Sequence, residues 1–158
     1  MPGITAILHT HDDALRIARA IESLRPCDEV LVVDHGSADE TCAVACRFGA
    51  HVIAARGGGS ETQAYLAEAQ NDWIYCLHPT EALSESLEAS VLEWTLEEYP
   101  EQTAFGVTTM EETHEGWILR SAETRLAHRE RARWQGWRPQ ADGVPKLLQG
   151  HLMRLRLP

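Results

Sequence analysis

The stretch VLVVDHGSADET at residues 30–41 constrains the fold more than any other part of this chain. Four apolar residues lead into Asp34, and His35, Gly36 and Ser37 follow before a predicted helix start. A continuous apolar run of this kind is typical of a parallel strand buried on both faces. A carboxylate that follows such a strand lies at the sheet edge where α/β proteins bind ligands, and Gly36 would let the backbone approach a ligand closely. The stretch therefore predicts a parallel sheet with a ligand site beside Asp34.

Strand-like and helix-like segments alternate through the first hundred residues. Apolar strand-like runs occur at residues 4–9, 30–33, 51–55 and 73–77, and a helical pattern follows each of them. Such alternation produces a parallel sheet with right-handed crossovers. After residue 100 the pattern changes to short strand-like runs at residues 103–108, 116–120, 124–128 and 152–157. We therefore predict an α/β fold in one compact domain over residues 1–158, with a mostly parallel sheet flanked by helices and a mixed C-terminal part.

Serines mark the expected starts of three of these helices. Ser37 with Glu40, and Ser60 with Gln63, have the spacing of a capping box, the latter for a helix to about residue 70. Ser84 is the expected N-cap of the last helix, which Pro100 would end. The apolar face predicted for that helix consists of Leu83, Leu87, Val91, Leu92, Leu96 and Tyr99.

Composition and charge limit the classes of partner. The chain carries 24 acidic and 14 basic residues, for a net charge of −10, which argues against nucleic acid as a partner. No apolar run approaches the roughly 20 residues of a membrane span. The first residues, MPGITAILHTHDD, lack the basic start of a signal peptide, and the four cysteines show no zinc or redox spacing. We therefore expect a cytoplasmic protein without a membrane span.

Two blocks of the sequence together resemble family 2 glycosyltransferases of the GT-A fold. ITAILHTHDD at residues 4–13 is similar to the family's apolar strand followed by T-K-N-E-E. VLVVDHGSADET is similar to its V-V-D-S-G-S-T-D-x-T, and AVACRFGAHVI at residues 43–53 to its A-x-R-Y-G-A-x-V. DWI at residues 72–74 and RWQG at residues 133–136 resemble G-D-W-I and R-W-E-G. The chain looks most like the bacterial branch related to lipopolysaccharide-core sugar transferases.

The resemblance implies a site for a nucleotide or a nucleotide-sugar. It assigns nucleotide binding to Thr10, Asp13, Asp34 and Gly36, with Asp34 holding the base. After the fourth strand the family carries an acidic D-x-D motif that binds Mg²⁺ or Mn²⁺. That cation offsets the charge that builds on the departing diphosphate.

The D-x-D-equivalent segment departs from the family pattern. Where the family reads F-L-D-A-D-E, this chain reads CLHPTE at residues 76–81. His78 and Thr80 stand at the two aspartates, and only Glu81 keeps the acid of the pattern. A hard dication prefers anionic oxygen, so an imidazole and a hydroxyl are poor substitutes. We therefore assign no metal ligand, no catalytic residue and no cofactor, although Mg²⁺ or Mn²⁺ is expected for the family.

Three functions follow from this comparison. The leading prediction is a catalytically degenerate glycosyltransferase-like protein that keeps a nucleotide or nucleotide-sugar cleft and acts as a binding or regulatory module beside a protein partner. The second is an active transferase with unusual or no metal dependence, in which His78 and Glu81 support transfer. The third is a structural or partner module that binds no ligand. Residues 1–100 would form the nucleotide-binding half, and residues 101–158 a reduced acceptor-side half.

Overall fold

The computed structural model of the protein describes residues 2–97 and 102–156. Within these residues the strands are β1 (Ile4–Thr10), β2 (Glu29–Asp34), β3 (His51–Ala54), β4 (Trp73–Cys76), β5 (Glu81–Leu83), β6 (Ala104–Thr113), β7 (Gly116–His128), β8 (Arg133–Gln135), β9 (Arg138–Gln140) and β10 (Lys146–Arg154). The helices are α1 (Ile17–Glu22), α2 (Thr41–Arg47) and α3 (Glu85–Thr95). A 3-10 helix, Thr62–Glu68, lies between β3 and β4.

One sheet of eight strands spans the described residues, in the order β3-β2-β1-β4-β7-β6-β10-β5. The first four strands in this order are parallel to their neighbours. The other half is mixed, because β7 is antiparallel to both β4 and β6, and β10 is parallel to β6 but antiparallel to β5. β8 and β9 form a separate antiparallel hairpin. The predicted α/β fold, with a parallel sheet and a mixed C-terminal part, is confirmed.

Alternate residues of the central strands supply two cores on opposite faces of the sheet, as the two-residue period of a strand requires. The larger core packs Leu8 and Val32 with residues of α1, α2 and α3. The smaller core packs Ile7 and Val33 against the 3-10 helix and the β8–β9 hairpin. Because the central strands are covered on both faces, their sequences are continuously apolar, which explains the run that leads into Asp34.

The two predicted capping boxes are wrong, whereas the Ser84 cap is confirmed. The Ser37 hydroxyl donates to Asp34, and α2 begins only at Thr41. The segment after Ser60 is a 3-10 helix that begins at Thr62 instead of an α-helix. Ser84 accepts the Leu87 amide at 3.2 Å. An N-cap serine must accept a helix amide with its Oγ, but the Ser37 Oγ accepts the Asp12 amide at 2.9 Å instead.

The apolar face of α3 is narrower than predicted. Leu87, Val91 and Trp94 are buried and follow the spacing of one helical stripe. Leu92 and Leu96 are 55% and 65% exposed, so their predicted burial is wrong. Leu92 lies one position beyond Val91 and Leu96 two positions beyond Trp94, which turns both toward solvent. Leu83 precedes the helix in β5, and the remaining predicted residues, 99 and 100, lie outside the described residues.

The C-terminal strands are longer than predicted. The runs at residues 116–120 and 124–128 form one strand, β7, which pairs with β6 along most of its length. Irregularities in the register of β6 and β7 absorb the break in the apolar pattern. β5, β8 and β9 have three residues each and were not predicted. In the parts of the chain that the structure describes, no helix is both long and apolar enough to cross a bilayer.

Candidate functional site

A cleft of about 500 Å³ lies where β1, β2 and β4 reach their carboxyl ends. Small-molecule sites commonly have volumes of about 300–1,000 Å³, so the cleft has the size of a ligand site. The side chains that line it include four histidines: His9, His11, His35 and His78. Trp137, in the turn between β8 and β9, closes part of the opposite wall.

The residues assigned to nucleotide binding divide into two pairs. Thr10 and Asp13 line the cleft. Asp34 and Gly36 lie beside it in the turn after β2, and Asp34 is the direct strand partner of Thr10. Their proximity matches the predicted site, whereas their role in nucleotide binding stays a prediction.

Asp13 is held by a dense set of hydrogen bonds. One carboxylate oxygen accepts the Thr10 hydroxyl at 2.6 Å and the His11 amide at 3.1 Å. The other oxygen accepts Nε of Arg16 at 2.6 Å. The Asp13 amide donates to Thr41 at the start of α2. Asp13 therefore organises the loop between β1 and α1, and it holds Arg16 against the cleft.

Asp34 closes the turn that follows β2. Its two oxygens accept the hydroxyl of Ser37 at 2.5 Å and the amide of Ser37 at 3.2 Å. Partial burial opposes the ionisation of Asp34, but these hydrogen bonds outweigh burial and lower the pKa of its carboxyl group. Gly36 has a φ of +78°, and a Cβ built there would meet no atom within 4 Å. The turn therefore needs glycine for its backbone conformation, and it leaves open space above Gly36.

A chain of hydrogen bonds connects the cleft to the β8–β9 hairpin. Thr62 is 2.9 Å from the carbonyl oxygen of Trp137 and 2.9 Å from Nε2 of His9. Nδ1 of His9 lies 2.9 Å from Nε2 of His35. A carbonyl can only accept, so the Thr62 hydroxyl donates to Trp137 and accepts from Nε2 of His9. Nδ1 of His9 then accepts from Nε2–H of His35.

This bonding pattern requires His9 to be neutral. Burial, and in second place the charge of His35, lower the pKa of His9 to about 4. Sequence reasoning assigned no role to His9 or His11, although both line the cleft. Their partners lie 53 and 24 residues away in the chain, so no local pattern could have revealed them.

The ring of Trp137 packs against two arginines, Arg125 of β7 and Arg138 of the hairpin. The guanidinium carbons of Arg125 and Arg138 lie 4.8 Å and 5.3 Å from the centre of its ring. The ring of His78 meets it edge-on at 5.8 Å. These cation–π contacts and the Thr62 bond fix the position of the hairpin turn over the cleft.

Glu81 forms a buried ion pair, and its oxygens are fully engaged. Nη1 and Nη2 of Arg125 donate to its two oxygens at 2.7 Å and 2.8 Å, and neither side chain is exposed to solvent. Arg154 donates to Glu81 at 2.9 Å, and the amide of His78 donates at 2.9 Å. Burial would raise the pKa of Glu81, but the hydrogen bonds and charge of Arg125 hold it at about 2. Glu81 is therefore an ionised residue of the core and does not line the cleft.

His78 and Thr80 bond to each other. Nδ1 of His78 lies 2.7 Å from the Thr80 hydroxyl and accepts the Thr80 amide at 3.2 Å. Neutral His78 therefore carries its proton on Nε2. Its side chain is accessible through the open cleft, but the surrounding protein atoms lower the pKa of His78.

The D-x-D-equivalent residues do not fit a divalent cation. Mg²⁺ and Mn²⁺ prefer carboxylate oxygens. Both oxygens of Glu81 already face arginines, and His78 and Thr80 supply no anionic atom. Among the described residues, no cluster of three or more His, Cys, Asp or Glu side chains could hold a metal ion.

Comparisons with known proteins find that part of the chain is similar to proteins named glycosyltransferases. No protein-family model matches it. A Rickettsia felis protein named an uncharacterised glycosyltransferase is 42% identical over 94 residues, which cover 58% of this chain and 33% of that protein. A Rickettsia conorii protein, also named an uncharacterised glycosyltransferase, is 37% identical over 91 residues, or 56% of this chain and 32% of that protein. The chain is a glycosyltransferase-like protein. Its match spans about a third of the length of these relatives.

Solved glycosyltransferase structures share the fold of this glycosyltransferase-like protein. Glucosyl-3-phosphoglycerate synthase from Mycobacterium tuberculosis, in complex with phosphoglyceric acid, superposes with a TM-score of 0.62 at 18% identity, covering 82% of this chain and 57% of that one. S. aureus TarS superposes with a TM-score of 0.59 at 16% identity, covering 72% of this chain and 37% of that one. At such identities the likeness establishes the fold alone. The predicted GT-A-like fold is confirmed.

Proposed function

We propose that this glycosyltransferase-like protein binds a nucleotide or nucleotide-sugar in its cleft and does not carry out metal-dependent sugar transfer. The observation that carries the proposal is the state of Glu81. This residue is the single acid that the D-x-D-equivalent segment at residues 76–81 keeps. Arg125 and Arg154 engage both of its oxygens. Without a free carboxylate, the segment has no anionic ligand for the cation that the family's reaction uses.

Nucleotide binding is supported by the position of the cleft and by the structural neighbours. The cleft lies outside the carboxyl ends of parallel strands, where open α/β sheets bind ligands. Structures of the M. tuberculosis synthase contain UDP with Mn²⁺, or UDP-glucose with Mn²⁺. For this chain we propose binding of the nucleotide without the cation. Thr10, Asp13, Asp34 and Gly36 are the proposed nucleotide-binding residues, with Asp34 holding the base.

The proposal extends to the organisation and setting of the chain. Residues 1–100 would form the nucleotide-binding half and residues 101–158 a reduced acceptor-side half. We propose kinship with the lipopolysaccharide-core branch, a cytoplasmic location, and a regulatory role beside a protein partner. The basic residues between 120 and 158 support the division, since two of them, Arg125 and Arg138, pack around Trp137 at the cleft.

An active transferase that needs no metal is the second candidate. The open cleft favours it, because a purely structural module would have no reason to retain a cavity of about 500 Å³ at the ligand edge of the sheet. His78 would then be the D-x-D-equivalent residue closest to the chemistry, since it lines the cleft whereas Glu81 does not. Release of sugar from UDP- or GDP-sugars in EDTA would identify this activity.

Calorimetric titration with UDP, GDP and their sugars, with and without Mn²⁺, tests the proposal. We expect binding that Mn²⁺ leaves unchanged and that Asp34→Ala weakens about tenfold, the effect of one lost hydrogen bond to a ligand. His51→Ala is the matched control, because His51 lies at the start of β3, away from the cleft. Mn²⁺-enhanced binding that His78→Ala abolishes would contradict the proposal. Absence of binding to every nucleotide would favour the structural module.

A further inference from the structure

The residues that line the cleft are rich in nitrogen donors and poor in free acids. The lining contains Arg16 and four histidines, and Asp13 is its only carboxylate within the described residues. The oxygens of Asp13 accept from Thr10, from the His11 amide and from Arg16. The other acids nearby are engaged elsewhere, because Asp34 bonds to Ser37 and Asp12 faces His11. An anion that enters the cleft therefore meets the guanidinium group of Arg16 and histidine rings, where a metal-dependent site would present carboxylates.

We propose that the cleft holds the phosphate groups of its ligand directly, through Arg16, His35 and His78, without a divalent cation. The inference rests on the nucleotide binding proposed above and names the chemistry at the phosphate end of that site. The three side chains come from three different segments of the chain, just before α1, just after β2 and just after β4. Their convergence on one cleft is a product of the parallel sheet.

Arg16 provides the permanent charge. Its Nε is fixed by Asp13 at 2.6 Å, which orients the planar guanidinium group. In the described part of the chain no hydrogen bond engages the two Nη atoms, and the side chain is partly exposed to the cleft. A guanidinium group presents paired N–H donors that match two oxygens of a phosphate. Arg16 is therefore a preoriented phosphate donor.

His78 provides a neutral donor. Thr80 occupies its Nδ1, so its proton lies on Nε2. The lowered pKa of His78 keeps the ring neutral near pH 7, and Nε2–H still donates in that form. The contribution of His78 therefore needs no protonation.

His35 provides a ring nitrogen, Nδ1, at the edge of the cleft. Its Nε2 donates to neutral His9, and Nδ1 has no hydrogen-bond partner within residues 2–97 and 102–156. Nδ1 can donate to a phosphate oxygen only when the ring is protonated. His9 faces this ring from β1, and His11 bonds to the carbonyl oxygen of His35 from the neighbouring loop. The contribution of His35 therefore comes from Nδ1, the ring nitrogen that His9 does not engage.

Calorimetry of the full chain in EDTA, with pyrophosphate, UDP and uridine as probes, tests this inference. We expect pyrophosphate to bind, and UDP to bind at least about tenfold more tightly than uridine, since charge-assisted hydrogen bonds contribute 1.4 kcal/mol or more. Arg16→Gln and His35→Gln should each weaken pyrophosphate about tenfold and leave the uridine affinity unchanged.

The controls separate this inference from the proposed function. His51→Gln replaces a histidine outside the cleft and should change nothing. Arg16→Lys keeps the charge and the fold but loses the paired donors, so it should also weaken pyrophosphate if Arg16→Gln is unstable. Pyrophosphate binding that requires Mn²⁺, or that survives both cleft variants, overturns the inference. Equal affinity for uridine and UDP overturns it while the proposed nucleotide binding stands, and loss of both ligands overturns the proposed function itself.

Discussion

Two carboxylates, Asp34 at the end of β2 and Glu81 at the start of β5, have opposite roles in the structure. Asp34 is partly exposed, and its neighbour Ser37 supplies both of the hydrogen bonds described above. Glu81 is fully buried, and its main partner, Arg125, lies 44 residues away. Both acids are ionised, but only Asp34 could give up a local partner for a ligand. A carboxylate is therefore a candidate binding group in one case and part of the core in the other.

The difference comes from the arginines of the C-terminal half. A buried carboxylate without a partner would be costly, and Arg125 with Arg154 removes this cost for Glu81. No arginine reaches Asp34 within the described residues. The supply of opposite charge, and not the position of the acid on the sheet, thus decides which carboxylate is available to a ligand.

The largest effect should come from Glu81→Ala, which leaves Arg125 buried without its main partner. We expect the free energy of unfolding to fall by about 3–5 kcal/mol, as for other broken buried ion pairs. Urea denaturation measures this change. Asp142→Ala is the matched control, because its ion pair with Arg133 is exposed and should contribute at most about 1 kcal/mol. An equal decrease in the free energy of unfolding in the two variants would show that the buried ion pair stabilises the protein no more than the exposed one.

Low pH should reduce the free energy of unfolding, because His9 is partly buried in its neutral form. The pKa of His9 is about 4 in the folded protein and about 6.5 in the unfolded chain, so between these values the unfolded state binds more protons. The contribution of neutral His9 to the free energy of unfolding is therefore fully present above pH 6.5. This contribution, about 3 kcal/mol, is lost as the pH falls toward 4. Urea denaturation at several pH values should show a shallower slope in this window for His9→Gln than for the wild type or His51→Gln. Parallel slopes for all three would exclude His9 as the source.

Ser37→Ala should affect Asp34 without disturbing the Glu81 cluster. Loss of the Ser37 hydroxyl removes one of the bonds that lower the pKa of Asp34, so this pKa should rise toward its ordinary value. The free energy of unfolding should fall by about 1.5 kcal/mol, which is typical of a hydrogen bond to a charged group. NMR titration of the carboxyl carbons measures the first change and urea denaturation the second. Ser90→Ala, whose hydroxyl bonds only to backbone carbonyls, should leave the Asp34 titration unaltered.

The smallest effect should come from Gly36→Ala. The φ of +78° is unfavourable for alanine, but the added Cβ would meet no atom, so the expected loss of stability is about 1 kcal/mol. Thermal denaturation measures it against Gly58→Ala, where neither a positive φ nor a close atom opposes the change. A much larger effect on nucleotide affinity than on stability would show that a ligand approaches the backbone at Gly36. Equal effects of the two alanine variants on stability would contradict the strain argument.

Local patterns in the sequence predicted the elements of the parallel half well. The apolar runs correspond to β1, β2, β3 and β4, and Ser84 caps α3 as expected, because both signals involve residues that are close in the chain. The capping role of Ser37 was wrong because its Oγ accepts the amide of Asp12, 25 residues away, instead of a helix amide. The role of His9 was missed because Thr62 lies 53 residues away, and Thr62 in turn bonds to Trp137, a further 75 residues along. Such contacts exist only after the sheet and the hairpin have assembled.

The order of apolar and polar residues was sufficient to predict an α/β sheet and the sheet edge at which the structure has a cleft. The placing of His78 and Thr80 at the two D-x-D aspartates came from the family resemblance and stays a prediction. The order of residues could not establish the fate of Glu81 or the donors that surround the cleft. Those depend on Arg125, Arg154 and Trp137, which reach the parallel half only through the tertiary fold. The reason is physical: strand and helix patterns reflect interactions between near neighbours, whereas the charge state and availability of a side chain depend on every group that packs around it.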